Sequence, residues 1–387
     1  MDTAPAVESV AAWKNVRIAG RIPELDGLRG LAILMVLFFH YVSVYGAPGH
    51  PLWEAVTVST RLFWSGVDLF FVLSGFLIAG ILIDSARSRA YFKTFYLRRV
   101  HRIFPLYFGW LALFYLGVYL NLDGKLGVLL FRSSVPLWLY PLFLQNNAPL
   151  WYNASIPMWM AVTWSLAVEE QFYAILPGIV RFTSKTALAW LCAAAVVLSP
   201  VYRSLLVAGT SHITDGSVSS SLARLDGLAM GVAIALLVRN RDCWVWLQGH
   251  LRMLRLGGVS LFLGFLALTY LAPPQLSMAL YGFTVVAAFY AVILLLAICQ
   301  PASHLAGLLR APVLRYFGRV SYAIYILHDG VRGLVGGLLP RGAPRFHDLR
   351  AAIVVVLSLG ATMLLAEMSW RFVESRLIRR AHVRYKY

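Results

Sequence analysis

Arg29 and His40 stand eleven positions apart in the apolar run LDGLRGLAILMVLFFHY. An imidazole exchanges protons near neutral pH and can also accept an acyl group as a nucleophile. The LMVLFF stretch before His40 offers it no local polar partner. Read as a membrane-crossing helix, the run separates the two side chains by about 16 Å along its axis, roughly half of a ~30 Å hydrocarbon core. Arg29 then marks a surface and His40 mid-depth, where an ionisable group points to function.

Other ionisable groups recur inside apolar stretches: Asp68 in GVDLFFVLSGFLI, Glu169 and Glu170 in TWSLAVEEQFY, Arg224 and Asp226 in ARLDGLAMG, and His328 in YAIYILHDG. An unpaired charge at the bilayer centre costs roughly 2.5–3.5 kcal/mol on insertion scales, so these groups are expected to face an internal polar space and one another. Asp68, Glu169 and Glu170 are expected below the outer surface, and Arg224 and Asp226 begin a crossing from that side. Adjacent glutamates cannot share a helical face, so one of Glu169 and Glu170 points inward while the other pairs or caps.

At the opposite face FYLRRVHRIFP gathers Arg98, Arg99, His101 and Arg102 just before an apolar run, level with Arg29. Guanidinium forks bind phosphate bidentately, so this set suits the phosphates of a nucleotide-like donor such as coenzyme A, with an acyl thioester reaching inward toward His40. The same arginines also satisfy orientation rules with no ligand at all. His328 equally suits a bond to neighbouring backbone, Asp329 and Arg332 are spaced to pair with each other, and Gly227 and Gly231 suit close helix packing.

The elements that must position these groups follow from composition. With 60% of 387 residues hydrophobic and 13% charged, the chain is an integral membrane protein. The net charge of +17 comes from 34 Lys+Arg against 17 Asp+Glu, and the basic residues cluster between apolar runs. That is the positive-inside pattern and excludes a nucleic-acid partner. Cys192, Cys243 and Cys299 have no paired spacing, so neither a disulfide framework nor a metal site is expected. The first 29 residues lack an apolar signal region, leaving the first crossing as the targeting element.

The fold class expected is an all-α integral membrane protein, a bundle of about ten transmembrane helices near 30–47, 62–83, 103–120, 163–181, 186–207, 222–238, 256–272, 277–298, 318–339 and 350–371. The basic connections, Lys14, Arg17 and Arg21 among them, put both termini in the cytoplasm. Residues 1–22 form a cytoplasmic N-terminal segment, 23–375 the membrane domain and 376–387 a basic cytoplasmic tail. The stretch 121–162, broken by Arg132, Pro136 and Pro141, reads as an outer-face excursion with an interfacial, Trp/Tyr-rich piece.

The chain resembles acyltransferase family 3, integral membrane proteins that transfer acyl groups, usually acetyl, to sugars and other hydroxylated acceptors. The resemblance rests on PELDGLRGLAILMVLFFHY, GVDLFFVLSGFLI, FYLRRVHRIFPLY, TWSLAVEEQFY, ARLDGLAMG, GRVSYAIYILHDG and SWRFVESRLIRR, which cover roughly residues 23–380. It implies that the family's essential arginine and histidine fall on Arg29 and His40, and its Arg-x-x-Arg pair on Arg99 and Arg102. Its tryptophan–serine–leucine segment falls on Trp164, Ser165 and Leu166, followed by Glu169 and Glu170, and its late tyrosine–histidine segment on Tyr325 and His328. Relatives often follow that histidine with an aromatic and a proline, where this chain has Asp329 and Gly330.

The resulting expectation is an O-acetyltransferase of a bacterial inner membrane, using acetyl-CoA and no metal. Arg29, Arg98, Arg99 and Arg102 hold the donor, and His40 with Asp68, Glu169 and Glu170 carries the chemistry. Trp164, Tyr173, Arg224, Asp226 and His328 receive a carbohydrate or lipid-linked glycan acceptor, or a non-sugar acceptor such as a macrolide. A fused extracytoplasmic hydrolase-like domain is not expected. A secondary transporter is the rival class, although the related halves common in transporters are not visible here.

Overall fold

A computed structural model describes residues 22–42, 51–121, 124–210, 218–271, 278–338 and 349–387, and these form helices and turns without a strand. Residues 1–21, with Lys14, Arg17 and Arg21, and residues 43–47 of the first expected crossing lie outside the described residues. Ten of the described helices have 13 residues or more. They are α1 Pro23–Tyr41, α2 Gly66–Ser85, α3 Tyr91–Tyr119, α4 Thr163–Phe182, α5 Lys185–Thr210, α6 Leu225–Leu237, α7 Leu251–Tyr270, α8 Phe283–Cys299, α9 Pro312–Leu338 and α10 Leu349–Ser369. One lies at each position where the sequence expects a crossing.

Among the described residues six runs are long and apolar enough to span a bilayer: Glu54–Ser85, Tyr91–Tyr119, Lys185–Ala208, Leu251–Tyr270, Leu280–Cys299 and Ala352–Arg384. The protein is therefore a multi-pass membrane protein. Those outside the six are informative. Helix α6 is only 13 residues long, while α1, α4 and α9 carry Glu24, Asp26 and Arg29, Glu169, Glu170 and Arg181, and Arg315, Arg319, Asp329 and Arg332 respectively. These charges dilute the hydropathy of α1, α4 and α9. Residues 121–162 form only short helices, Gly124–Phe131, Leu137–Leu139, Gln145–Asn147 and Ala148–Tyr152, and none of crossing length.

Two compact units partition the chain. The first comprises residues up to Gly30, Val67–Ser88 and Gln171–Gly318. Within it α6 packs on α5 and α8, and α7 packs on α8. The apolar window of Leu280–Cys299 is 56% buried and that of Leu251–Tyr270 only 11%, so α7 turns nearly all of its apolar surface outward, as a lipid-facing helix does. Backbone contact is closest where glycines meet. A Cβ on Gly231 of α6 would overlap the Val72 carbonyl oxygen of α2, and one on Gly75 would overlap that of Leu228. Gly30 and Gly318 likewise admit the start of α1 against the start of α9. Small residues allow this approach where no hydrophobic force draws helices together. Arg239 clamps the end of the α2–α6 pair with a bidentate bond to Asp84, at 2.8 and 2.7 Å.

The second unit comprises Leu31–Gly66, Arg89–Glu170 and Arg319–Tyr387. Here the indoles of Trp110 on α3 and Trp159 stack at 3.9 Å, and each N–H donates to the other residue's carbonyl, at 2.9 and 3.2 Å. Gly330 of α9 lies against this stack, and a Cβ there would come within 2.5 Å of the Trp110 ring. That contact accounts for glycine after Asp329. The basic segment from Arg376 forms most of the helix Ser375–Arg384, which packs along α3. Beyond it Arg98 donates to the Tyr385 carbonyl at 2.9 and 2.6 Å and lies over the Tyr387 ring, while Thr94 donates to the Lys386 carbonyl.

Replacing Gly231 with Val should force α2 and α6 apart and cost about 1–3 kcal/mol or more. Gly178, whose Cβ would meet nothing within 4 Å, should accept Ala at little cost. Thermal unfolding of the purified protein in detergent checks both, and equal midpoints for the two variants would contradict the backbone contact.

Candidate active site

His40 and His328 meet in the second unit. Their ring centroids are 4.8 Å apart and their planes cross at 66° in an edge-to-face contact. His40 Nδ1 lies 2.9 Å from the Val36 carbonyl one turn earlier on α1, and His328 Nδ1 lies 2.8 Å from the Tyr325 carbonyl on α9. A carbonyl can only accept, so both protons sit on Nδ1 and each neutral ring leaves Nε2 as a base. His328 is completely buried and its Nε2 has no hydrogen-bond partner, whereas His40 is only partly buried. The next residue on α1 secures the pairing, because the Tyr41 hydroxyl donates to the His328 carbonyl at 2.8 Å and accepts from Thr362 at 3.0 Å.

Other polar groups continue along one face of α9, at Tyr322, Tyr325, His328 and Asp329, and Arg332. The Tyr322 hydroxyl donates to the Ile103 carbonyl of α3 at 2.7 Å. The Tyr325 hydroxyl meets Ser165 of α4 at 2.5 Å. Asp329 pairs with Arg332 three residues on, at 2.7 Å, as their spacing predicts. One helix thus presents polar groups in turn to α3, α4 and α1, over about 9 Å of rise from Tyr322 to His328.

The arginines of α3 approach this column from the Tyr322 end. Arg102 is within electrostatic reach of Tyr322, and Arg99 of Glu170. Arg98 differs from its neighbours in being held by Tyr385 and Tyr387. Trp164 begins the same stretch of α4 half-buried, and Glu169 is also part-buried. Arg29 shares α1 with His40 but belongs to the first unit.

Asp68, Arg224 and Asp226 lie in the first unit, where the structure gives them ionic partners. Arg224 pairs with Asp68 at 2.7 Å, and Arg203 with Asp226 at 3.0 Å. Asp226 also accepts from Thr284 at 2.6 Å and from the Gly227 N–H at 3.0 Å, and Arg203 donates to Thr284 at 2.7 Å. The Arg224 guanidinium stacks 3.9 Å from the Phe283 ring centroid. All four charged side chains are at most 3% exposed. The two acids and two bases form a neutral, interlocked group, which is how buried charges are tolerated in an apolar interior. Tyr173 bonds through its hydroxyl to Ser74 in the same unit.

Sequence reasoning passed over Arg203, Gln145, Tyr107 and Tyr322. Arg203 was discoverable as a lone cation in VVLSPVYRSLLV with Asp226 still lacking a partner, and Gln145 as an amide within LWLYPLFLQ. The two tyrosines carry no such signal, because Tyr is ordinary in membrane helices. Among the described residues no group of three or more His, Cys, Asp or Glu is placed to hold a metal ion.

The fold is that of an all-helical membrane protein in which two histidines from distant helices meet. The chain belongs to acyltransferase family 3, whose profile, described as an acyltransferase domain, matches residues 22–367. It is 27% identical over 381 residues to the peptidoglycan O-acetyltransferase OatA of Listeria monocytogenes, covering 94% of this chain and 57% of that protein. It is 30% identical over 380 residues to the putative peptidoglycan O-acetyltransferase YrhL of Bacillus subtilis, covering 91% and 54%. The O-acetyltransferase OatA of Staphylococcus aureus is 24% identical, with 92% and 57% covered. The chain thus spans about half the length of these relatives. No solved structure matches it.

The ion-pair group predicts a non-additive response. Asp68→Ala leaves the Arg224 charge buried without its carboxylate and should destabilise the protein by about 3–5 kcal/mol. The double change Asp68→Leu with Arg224→Met should recover most of that loss. Unfolding midpoints of the two proteins in detergent test this, and additive losses would refute the pairing.

Proposed function

We propose that the protein is a membrane O-acetyltransferase that takes an acetyl group from acetyl-CoA at the cytoplasmic face and passes it to a hydroxyl of a cell-envelope glycan entering from the other side. The acceptor favoured is peptidoglycan, the substrate named for two of its relatives. Ten crossings with cytoplasmic termini in a bacterial inner membrane are the topology this reading requires. The observation that carries it is the His40–His328 contact at 4.8 Å, joined by polar groups of α9 to the arginines of α3.

On this reading Arg99 and Arg102 hold the donor phosphates, and Arg29 stands about 16 Å from His40 along α1. Arg98 anchors the C-terminal residues instead. His40 Nε2 takes the proton of the acceptor hydroxyl as its oxygen attacks the thioester carbon. The tetrahedral oxyanion collapses, the carbon–sulfur bond breaks, and the imidazolium returns the proton to the leaving thiolate. Transient acylation of Nε2 followed by attack of the hydroxyl is the second route open to the same ring. His328 holds His40 edge to face and excludes water from its far side. Glu170 or Glu169 steadies positive charge, Trp164 lines the acceptor approach, and Asp68, Arg224, Asp226 and Tyr173 support the fold of the first unit.

The test is transfer of radiolabelled acetyl from acetyl-CoA to membrane glycan by the full chain in proteoliposomes. His40→Ala should lower the rate by 10²–10⁴-fold at wild-type protein levels. Arg99→Ala with Arg102→Ala should raise the KM for acetyl-CoA more than it lowers kcat. Transfer that survives His40→Ala, or a wild-type protein that neither binds nor consumes acetyl-CoA, would overturn the proposal. Loss of acetyl from the envelope glycans of a deletion strain, read by mass spectrometry, identifies the acceptor.

A further inference from the structure

Gln145 opens the short turn Gln145–Asn147 and is wholly buried. Its neighbours decide which way its amide points. The Tyr107 hydroxyl spends its proton on the Tyr140 carbonyl at 2.7 Å, and the Thr163 hydroxyl spends its own on the Met160 carbonyl at 2.6 Å. The third neighbour is the Thr163 carbonyl. All three can only accept, so the amide nitrogen faces them at 3.1 to 3.3 Å. Phe143, held at a positive φ of 54° and stacked on Tyr107 at 4.4 Å, turns the chain so that Gln145 reaches this place. The amide oxygen is left buried with no donor.

A second acceptor nearby is in the same condition. Glu170 Oε1 is buried without a hydrogen-bond partner. Tyr107 is bonded to Gln145 and within electrostatic reach of Glu170, as is Tyr322. Two buried oxygens around one tyrosine call for two donors, since an unmet acceptor in an apolar interior is costly. Their level is defined by the helices. Tyr107 follows Arg102 by five residues and Arg99 by eight, about 8 and 12 Å of rise along α3, and Tyr322 precedes His328 by about 9 Å along α9. Along these two helices, Tyr107 and Tyr322 thus stand between the arginines and the histidine pair.

We propose that Gln145 Oε1 and Glu170 Oε1 accept hydrogen bonds from the two amide N–H groups of a pantetheine arm. This inference rests on the acetyl-CoA reading above. A donor whose phosphates are held by Arg99 and Arg102 and whose thioester is delivered to His40 must lay its linker between them. The pantetheine linker carries two secondary amides, each with one N–H to give. The site asks for donors and offers none of its own, which suits amide N–H groups better than a polyol, whose hydroxyl oxygens would also need to accept.

Acetyl-CoA analogues in which one or the other pantetheine N–H is replaced by an oxygen test it directly. With the wild-type protein in proteoliposomes, each replacement should raise the KM about tenfold with little change in kcat. Gln145→Met should raise the KM for acetyl-CoA by a similar factor and should no longer distinguish acetyl-CoA from the analogue altered at the amide that Gln145 serves. Should that variant fail to fold, the analogue series on the wild type still decides. Equal KM values for acetyl-CoA and both analogues would overturn the inference while leaving acetyl-CoA as donor. The same holds if Gln145→Met discriminates as the wild type does, or if Gln145→Met weakens acceptor binding alone. No turnover of acetyl-CoA by the wild type would instead fail the donor reading itself.

Discussion

The edge-to-face contact of His40 and His328 exists because each ring is tethered through Nδ1 to the backbone of its own helix. A ring bonded to a carbonyl one turn away keeps its orientation and its tautomer together. That tether leaves Nε2 as the basic atom on both residues. Tyr41 then locks α1 to α9 beside them through the His328 carbonyl. Tyr325, bonded to Ser165, lies one turn before His328 on α9, and Tyr322 one turn further.

The same constraint governs the first unit, where it gives a different result. Asp68, Arg203, Arg224 and Asp226 would each be prohibitive alone in hydrocarbon, and they are tolerated because every acid has a guanidinium and every guanidinium an acid. Such a group contributes rigidity and register rather than chemistry, since its oxygens and nitrogens are mostly spent on one another. Each unit keeps buried polar atoms without a hydrogen-bond partner, Asp68 Oδ2 in the first and His328 Nε2, Gln145 Oε1 and Glu170 Oε1 in the second. An unmet acceptor in an apolar interior costs stability.

Packing economy explains the glycines and the tryptophans. Gly75, Gly231, Gly30 and Gly318 let backbones touch, so the short helix α6 and the polar start of α1 are held by contact area that their length alone would not provide. Trp110 and Trp159 satisfy their own N–H groups reciprocally while stacking, which allows two large indoles to be buried without an unmet donor. Gly330 completes that cluster and sets the height at which α9 presents His328.

Amino-acid order alone determined that this is an all-helical, multi-pass membrane protein, where the ten longer described helices fall, and that His40, His328 and the arginines of α3 interrupt apolar or helical runs. Apolar run length and the penalty for charge in lipid are local properties, readable from any window of residues. The pairing of Asp329 with Arg332 was legible for the same reason, since three residues of helix place them together. Tertiary structure alone decided which distant groups meet. It set His328 against His40, gave Asp68 to Arg224 and Asp226 to the overlooked Arg203, and tied Arg98 to the C-terminal residues. Those choices depend on the rotation of each helix about its axis, and that rotation is set by contacts such as glycine against carbonyl and indole against indole between residues far apart in the chain.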